Sequence, residues 1–178
     1  MNEAIRWCRG ETRLGSVCIA ARGDAVIGLW FEGQKHDVRP GGGWQEARDD
    51  PLLREAAHQL RDYLAGKRES FDLALAPEGT AFQKSVWRAI AKVPAGRTAS
   101  YGDLARRIGR PSSVRAVGAA VGRNPLSVVV PCHRIVGSDG SLTGYAGGLE
   151  RKRALLALER VDLDASRDAV ADRTASAR

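Results

Sequence analysis

The chain has 178 residues, 43% hydrophobic and 28% charged, with 28 Lys and Arg against 21 Asp and Glu for a formal net charge of +7. These proportions suit one globular domain or two small ones able to bury a core, and exclude collagen, a disulfide scaffold and wholesale disorder. The longest uncharged stretches, 124–133 and 140–149, fall short of the roughly 18 residues of a membrane span, and Met1–Arg6 lacks the apolar segment of a signal peptide.

In chain order, the first 50 residues read as β-rich. Two apolar runs, Ser16–Ala21 and Ala25–Phe31, flank Arg22-Gly23-Asp24, a hairpin signal. Arg39–Gly43 is a Pro/Gly loop. A helix follows, with Asp50 as cap, Pro51 at its first position, Gly66 at its end, and Leu53, Ala56, Leu60 and Leu64 on one face. His58 on this helix is expected at the surface. Lys67–Pro77 reads as a strand and linker between two lobes.

Thr80 and Gln83 form a capping box for a helix to about Lys92, with Phe82, Val86, Ala89, Ile90 and Val93 buried and Trp87 beside them. Ser100 caps a short helix ended by Gly109. A second short helix, Val114–Gly122, turns Val114, Val117 and Val121 inward. The pair has the pattern of a helix-turn-helix. Ala116, Gly118, Ala119, Ala120 and Gly122 leave the second helix nearly smooth, with Arg115 its one long side chain. Val128-Val129-Val130 reads as a buried strand running into Pro131-Cys132-His133-Arg134. Ser138-Asp139-Gly140 is a turn and Gly144–Gly148 a glycine-rich loop. Leu149–Arg160 is a last helix, with Leu149, Ala154 or Arg153, Leu156 and Glu159 spaced for its faces. The fold class is therefore α+β, with an N-terminal β-rich lobe carrying one helix (1–78), a mostly helical C-terminal lobe (79–160) and a flexible tail (161–178).

The charge is uneven. Residues 1–79 carry 11 basic and 13 acidic side chains, whereas residues 80–160 carry 14 and 4. Of the 28 basic residues 23 are Arg, whose planar donor fork suits phosphate and base edges. A general preference for Arg explains that choice but not the split, which points to a polyanion held by the second lobe. Three cysteines, Cys8, Cys18 and Cys132, without CxxC spacing suit a reducing cytosol and a cytoplasmic location. A lone cysteine after a Val run is usually a buried small hydrophobe. At Cys132, however, Pro131 ends the expected strand, and His133 and Arg134 supply positive charge that favours thiolate. Cys8 and Cys18 have no such setting. With His36 and His58 they show no convincing ligand spacing, so neither a metal nor any other cofactor is expected.

Pro131-Cys132-His133-Arg134-Ile135-Val136-Gly137 resembles the active-site signature of the O6-alkylguanine-DNA alkyltransferases. The resemblance extends through Gly79-Thr80, Phe82-Gln83, Val86-Trp87, Ser100-Tyr101-Gly102, Arg115-Ala116-Val117-Gly118, Asn124-Pro125 and Gly144-Tyr145 to Gly147-Gly148-Leu149, about 80 residues in all. It implies a monomeric single-use repair protein that moves the alkyl group of O6-alkylguanine, or of O4-alkylthymine, in double-stranded DNA onto Cys132. By the same resemblance His133 activates Cys132 through a water and Glu159 orients His133. Tyr101 protonates the departing base. Arg115 fills the place of the flipped nucleotide, and Ser113, Ala116 and Asn124 belong to the DNA-binding set, Asn124 bracing the turn into the active-site segment. Tyr145, Ala146 and Ile135 line the substrate pocket. Many relatives carry Ser at the Ala146 position, so only a backbone role carries over. The N-terminal lobe would be the family's ribonuclease H-like lobe, which it fits loosely. A helix-turn-helix regulator leaves the cysteine segment unexplained, a cysteine hydrolase lacks a second nearby His, and the non-enzymatic relatives lack the cysteine.

Overall fold

The computed structural model describes residues 3–164. The expected tail falls largely on 165–178, outside the described residues. In the N-terminal lobe, β1 (Arg6–Thr12), β2 (Gly15–Arg22) and β3 (Ala25–Phe31) form an antiparallel meander, and a short β4 (Gln45–Glu46) runs parallel to β1, giving the order β3-β2-β1-β4. The expected hairpin is β2–β3. Its register shifts between Ala20 and Ala21, because Ala20 faces Gly28 while Ala21 faces Val26, so Ile27 is an extra residue in a bulge. The bulge turns Val26 and Leu29 to the same side although three positions separate them. Both join Val17, Ile19 and Phe31 beneath the helix α1 (Pro51–Leu64).

α1 begins as its sequence dictates. The Asp50 carboxylate accepts the backbone N–H of Leu53 at 3.0 Å, Pro51 takes the first turn, and Gly66 closes the end at φ +72°. Leu53, Ala56, Leu60, Tyr63 and Leu64 are buried, and His58 stays exposed beside Asp62. The expected strand in Lys67–Pro77 reduces to one bridge, Val26 to Leu75, with backbone bonds from Val26 to Ala74 and from Ala76 to Val26. A second segment, 125–127, docks further along the same edge through Leu29 to Pro125 (2.8 Å) and Ser127 to Leu29 (2.9 Å). Two pieces from different parts of the chain thus cover an edge that would otherwise stay open.

The second lobe opens with α2 (Ala81–Ala91), started by the Thr80–Gln83 capping box in both directions. Next come β5 (Ala99–Ser100), α3 (Tyr101–Arg107), α4 (Val114–Gly122), a 3-10 turn at Cys132–Arg134, β6 (Ile135–Val136) and α5 (Leu149–Leu158), with β5 and β6 paired in parallel. A second capping box, Ser100 with Asp103, starts α3. α4 packs on α2 and α3, and Trp87 donates its indole N–H to the Ala120 carbonyl at 2.9 Å. Val117 and Val121 are buried there, whereas Val114 is exposed, because it occupies the first position of α4, beyond the reach of α2 and α3. One core runs from the sheet through α1 to α2, α3, α4 and α5.

On the other sheet face Cys18, Ala20, Ile27 and Trp30 pack with Trp7 and Trp44. Residues i and i+2 of a strand share a face, so the Trp30 ring lies over Gly28; a Cβ there would sit 1.8 Å from the ring. Gly28→Ala is therefore expected to destabilise the protein by about 1–3 kcal/mol through forced displacement of Trp30. Urea unfolding followed by tryptophan fluorescence measures this, and the native spectrum should shift with it.

Candidate active site

Cys132 does not sit at the end of a strand. Val128–Val130 is a series of turns, with Val128 at φ +70°, a costly conformation for a β-branched residue. Asn124 holds these turns in place. Its amide N–H groups reach the carbonyls of Val130 (2.8 Å) and Leu126 (3.3 Å) and the sulfur of Cys132 (3.1 Å), and its Oδ1 accepts the Leu126 N–H at 3.0 Å. Cys132 is 5% exposed. Burial pushes the thiol pKa up, against the hydrogen bond from Asn124 and the charge of Lys152. The expectation that His133 and Arg134 supply positive charge beside the sulfur is thus corrected: both direct their side chains to a carboxylate.

That carboxylate is Glu159, at the C-terminal cap of α5 and 3% exposed. Its Oε1 lies 2.8 Å from His133 Nε2 and accepts from Arg134 Nη2 at 2.8 Å and from the Tyr63 hydroxyl; its Oε2 accepts Arg134 Nε at 2.9 Å. Arg134 also donates Nη1 to the Val93 carbonyl at 2.5 Å. Burial would raise the Glu159 pKa, but the bonds from His133, Arg134 and Tyr63 outweigh it and hold the value at about 2. Burial, helped by the charges of Arg134 and Lys152, outweighs the bond and charge of Glu159 and lowers the His133 pKa, so the imidazole is neutral near pH 7. With Nε2–H given to Glu159, Nδ1 is the free acceptor, and it is buried without a protein partner.

A cavity of about 400 Å³ opens above Cys132. Tyr101, Gly118, Tyr145 and Ala146 form its walls, together with Lys35 and His36 from the loop after β3. Tyr101 packs against Gly118 and donates its hydroxyl to the Thr143 carbonyl at 3.0 Å. The Tyr145 hydroxyl is buried without a protein partner. Gly147 is required beside it, because a Cβ would stand 2.7 Å from the Tyr145 ring. Ile135 lies outside the cavity lining, its side chain fully buried in the core.

Arg115 and Ala116 are exposed near the start of α4, and Arg115 has no carboxylate partner among the described residues. Ser113 occupies the N-cap of that helix without a side-chain capping bond. Cys132, His133, Glu159, Tyr101, Asn124, Tyr145 and Ala146 therefore gather around one cavity and its floor, with Arg115, Ser113 and Ala116 on the outer helix. Among the described residues no group of three or more His, Cys, Asp or Glu side chains is arranged to hold a metal.

Two residues of this centre escaped the sequence reading. Tyr63 lies outside the Leu53, Ala56, Leu60 and Leu64 face expected of α1 and carries no expected role. Lys152 is fully buried and donates Nζ to the carbonyls of Ile135 (2.5 Å), Gly144 (3.1 Å) and Thr143 (3.2 Å), using every donor it has. Burial draws its pKa down to about 8. The inward face of α5 is Lys152, Leu155 and Leu156, while Leu149 is 38% exposed. A helical period through Leu155, Leu156 and Glu159 would have placed Lys152 inside.

The family models for 6-O-methylguanine DNA methyltransferase match almost the whole described chain, the ribonuclease-like domain over residues 5–77 and the DNA binding domain over 81–161. The chain belongs to this family. It is 52% identical over 150 residues to the methylated-DNA–protein-cysteine methyltransferase of Mycobacterium bovis, covering 84% of this chain and 89% of that one. It is 47% identical over 153 residues to the enzyme of that name from Methanosarcina barkeri, covering 86% and 96%. The solved structure of Mycobacterium tuberculosis OGT in complex with DNA superposes with a TM-score of 0.79 at 39% identity, covering 91% of this chain and 98% of that one.

The depressed pKa of Glu159 stabilises the fold above the unfolded value of about 4.5, and that contribution is lost as pH falls toward about 2. The wild type should therefore lose more stability than Glu159→Gln between about pH 5 and pH 2.5, by up to about 3 kcal/mol. Denaturant titrations at stepped pH measure the difference.

Proposed function

We propose that Cys132 accepts the alkyl group from O6-alkylguanine in double-stranded DNA after the damaged nucleotide has been flipped into the cavity above it. The chain is a methylated-DNA–protein-cysteine S-methyltransferase that repairs DNA and is consumed in doing so. The observation that carries the site assignment is the sulfur itself, at the floor of a cavity of about 400 Å³ and in the same turn as a neutral His held by a buried carboxylate. A base stacked in a duplex cannot reach that floor, so extrusion is needed.

The chemistry follows from the groups present. His133 Nδ1 takes the thiol proton through a bridging water, and Glu159 stabilises the imidazolium that forms. The sulfur attacks the alkyl carbon in line, forming an S–C bond as the C–O6 bond breaks. Tyr101 sits at the cavity wall with its hydroxyl on the Thr143 carbonyl and a pKa raised mainly by burial. It donates its proton to the departing base, so that neutral guanine leaves. The Asn124 N–H on the sulfur lowers the charge that must build there. The product is a thioether with no easy hydrolysis, hence one event per molecule. Tyr145 and the Ala146 backbone bound the alkylated edge of the base.

We read α3 and α4 as a helix-turn-helix that enters the minor groove. The exposed small residues of α4 permit close approach, and Arg115 fills the vacated place in the stack, with Ser113 and Ala116 beside it. The protein works as a monomer. Among the described residues no helix is long and apolar enough to cross a membrane, and a DNA substrate fits a cytoplasmic location.

Incubation with a duplex holding one O6-methylguanine should add a single methyl group to the peptide containing Cys132, at most once per molecule, and Cys132→Ser should add none; peptide mass spectrometry reads both. An unmodified protein that still binds the duplex would contradict the transfer. Arg115→Ala should slow repair of duplex DNA about tenfold or more while reacting normally with free O6-benzylguanine. Equal losses on the two substrates would remove the flipping role.

A further inference from the structure

We propose that Tyr63, in the N-terminal lobe, is a positioning residue for alkyl transfer that acts through Glu159 on His133. The proposal rests on the reading of His133 as the base that serves Cys132. Tyr63 leaves the buried face of α1 at 3% exposure, its ring against Phe71 with 5.2 Å between centroids. Its hydroxyl donates to Glu159 Oε1, the same oxygen that His133 Nε2 and Arg134 Nη2 each approach at 2.8 Å. Burial and the neighbouring Glu159 anion keep the phenol protonated, so it is a fixed donor.

Three donors on one carboxylate oxygen divide its charge. Glu159 must hold the Nε2–H of His133 firmly enough to fix the tautomer, yet not so firmly that the imidazole stays protonated and useless as a base. Tyr63 and Arg134 both draw on the same lone pairs and moderate that pull. The charged and titratable groups facing His133 are Glu159 at the end of α5, Arg134 in its own turn and Lys152 from α5. Glu159 raises the His133 pKa, and the two cations lower it. Tyr63 is absent from the cavity lining and reaches this centre only through the carboxylate. The N-terminal lobe thus supplies part of the catalytic machinery, although the reacting atoms lie wholly in the C-terminal lobe.

Tyr63→Phe keeps the ring and its contact with Phe71 and removes one hydroxyl. The test measures single-turnover rates of the full chain with free O6-benzylguanine from about pH 5.5 to about 9, for wild type, Tyr63→Phe, Glu159→Gln and the double variant. Tyr63→Phe should move the acid limb of the profile upward by about half a unit or more, slowing the reaction about threefold or more on that limb and less at pH 7. In the Glu159→Gln background it should add no further shift. An acid limb that stays in place, or a shift that persists in the double variant, overturns the role of Tyr63 even if the melting temperature falls, since looser packing alone leaves the limb where it is. A Glu159→Gln profile identical to wild type overturns instead the underlying pairing of Glu159 with His133.

Discussion

Glu159 is an anion almost shut off from water, and the active-site region is arranged to satisfy it. Moving a carboxylate out of water costs several kcal/mol unless charge and hydrogen bonds replace the lost solvent. Here Tyr63 from α1 and His133 and Arg134 from the 3-10 turn replace it, and Arg134 in turn fastens the end of α2 through Val93. The constraint explains the local backbone. His133 and Arg134 are adjacent, yet both must reach one carboxylate. In an extended strand adjacent side chains point to opposite faces. A turn of 3-10 helix lets both converge, and it places Cys132 one step away at the cavity floor.

The same centre holds a second buried charge with a different solution. Lys152 meets three backbone carbonyls and no carboxylate. Those carbonyls belong to β6 and to the loop that ends in Tyr145 and Ala146, so the ammonium ties the segment after Cys132 to the cavity wall. An ammonium that can give nothing back is also a standing positive potential near the sulfur. At rest this does not offset burial, and Cys132 is a thiol. That state suits a nucleophile used once. A permanently exposed thiolate would be spent on oxidants and stray electrophiles.

Local chemistry was legible in the sequence, and long-range convergence was not. The Asp50–Pro51–Gly66 boundaries of α1, both lobes, the β2–β3 hairpin and the Thr80–Gln83 capping box follow from side chains acting on their own neighbours. The Val128–Val130 segment shows the limit. Its composition suits a strand, but Asn124 gathers the carbonyls of Leu126 and Val130 and the Cys132 sulfur into a tight turn, against the preference of Val128 for extended backbone. Position 149 misled for a related reason, since a helix spacing counted from Leu149 hides the inward Lys152. For the site, the resemblance named the residues, but the state of the cysteine depends first on how deeply it is buried, and only the fold answers that.

The uneven charge acquires a structural meaning once the ion pairs are placed. In the N-terminal lobe Arg6 meets Asp50, Arg9 meets Glu32, Arg22 meets Glu78 and Arg48 meets Glu46. In the C-terminal lobe Arg134 is committed to Glu159 and Arg106 to Asp103, while Arg107, Arg110, Arg115 and Arg123 are exposed without a carboxylate partner among the described residues. These four lie on α3, α4 and the turns that follow each helix. An unpaired guanidinium at the surface is free to exchange its counterions for phosphate, and each such exchange makes affinity depend more steeply on salt. None of the four reads a lesion. Arginines held by carboxylates would have to give up that pairing first, so Arg6, Arg9, Arg22 and Arg48 are poorly placed to exchange counterions for phosphate. Carboxylates thus decide which arginines stay free as much as sequence position does: on the proposed reading the unpaired cations of α3 and α4 meet DNA, while the buried carboxylate of Glu159 keeps Arg134 inside, beside Cys132.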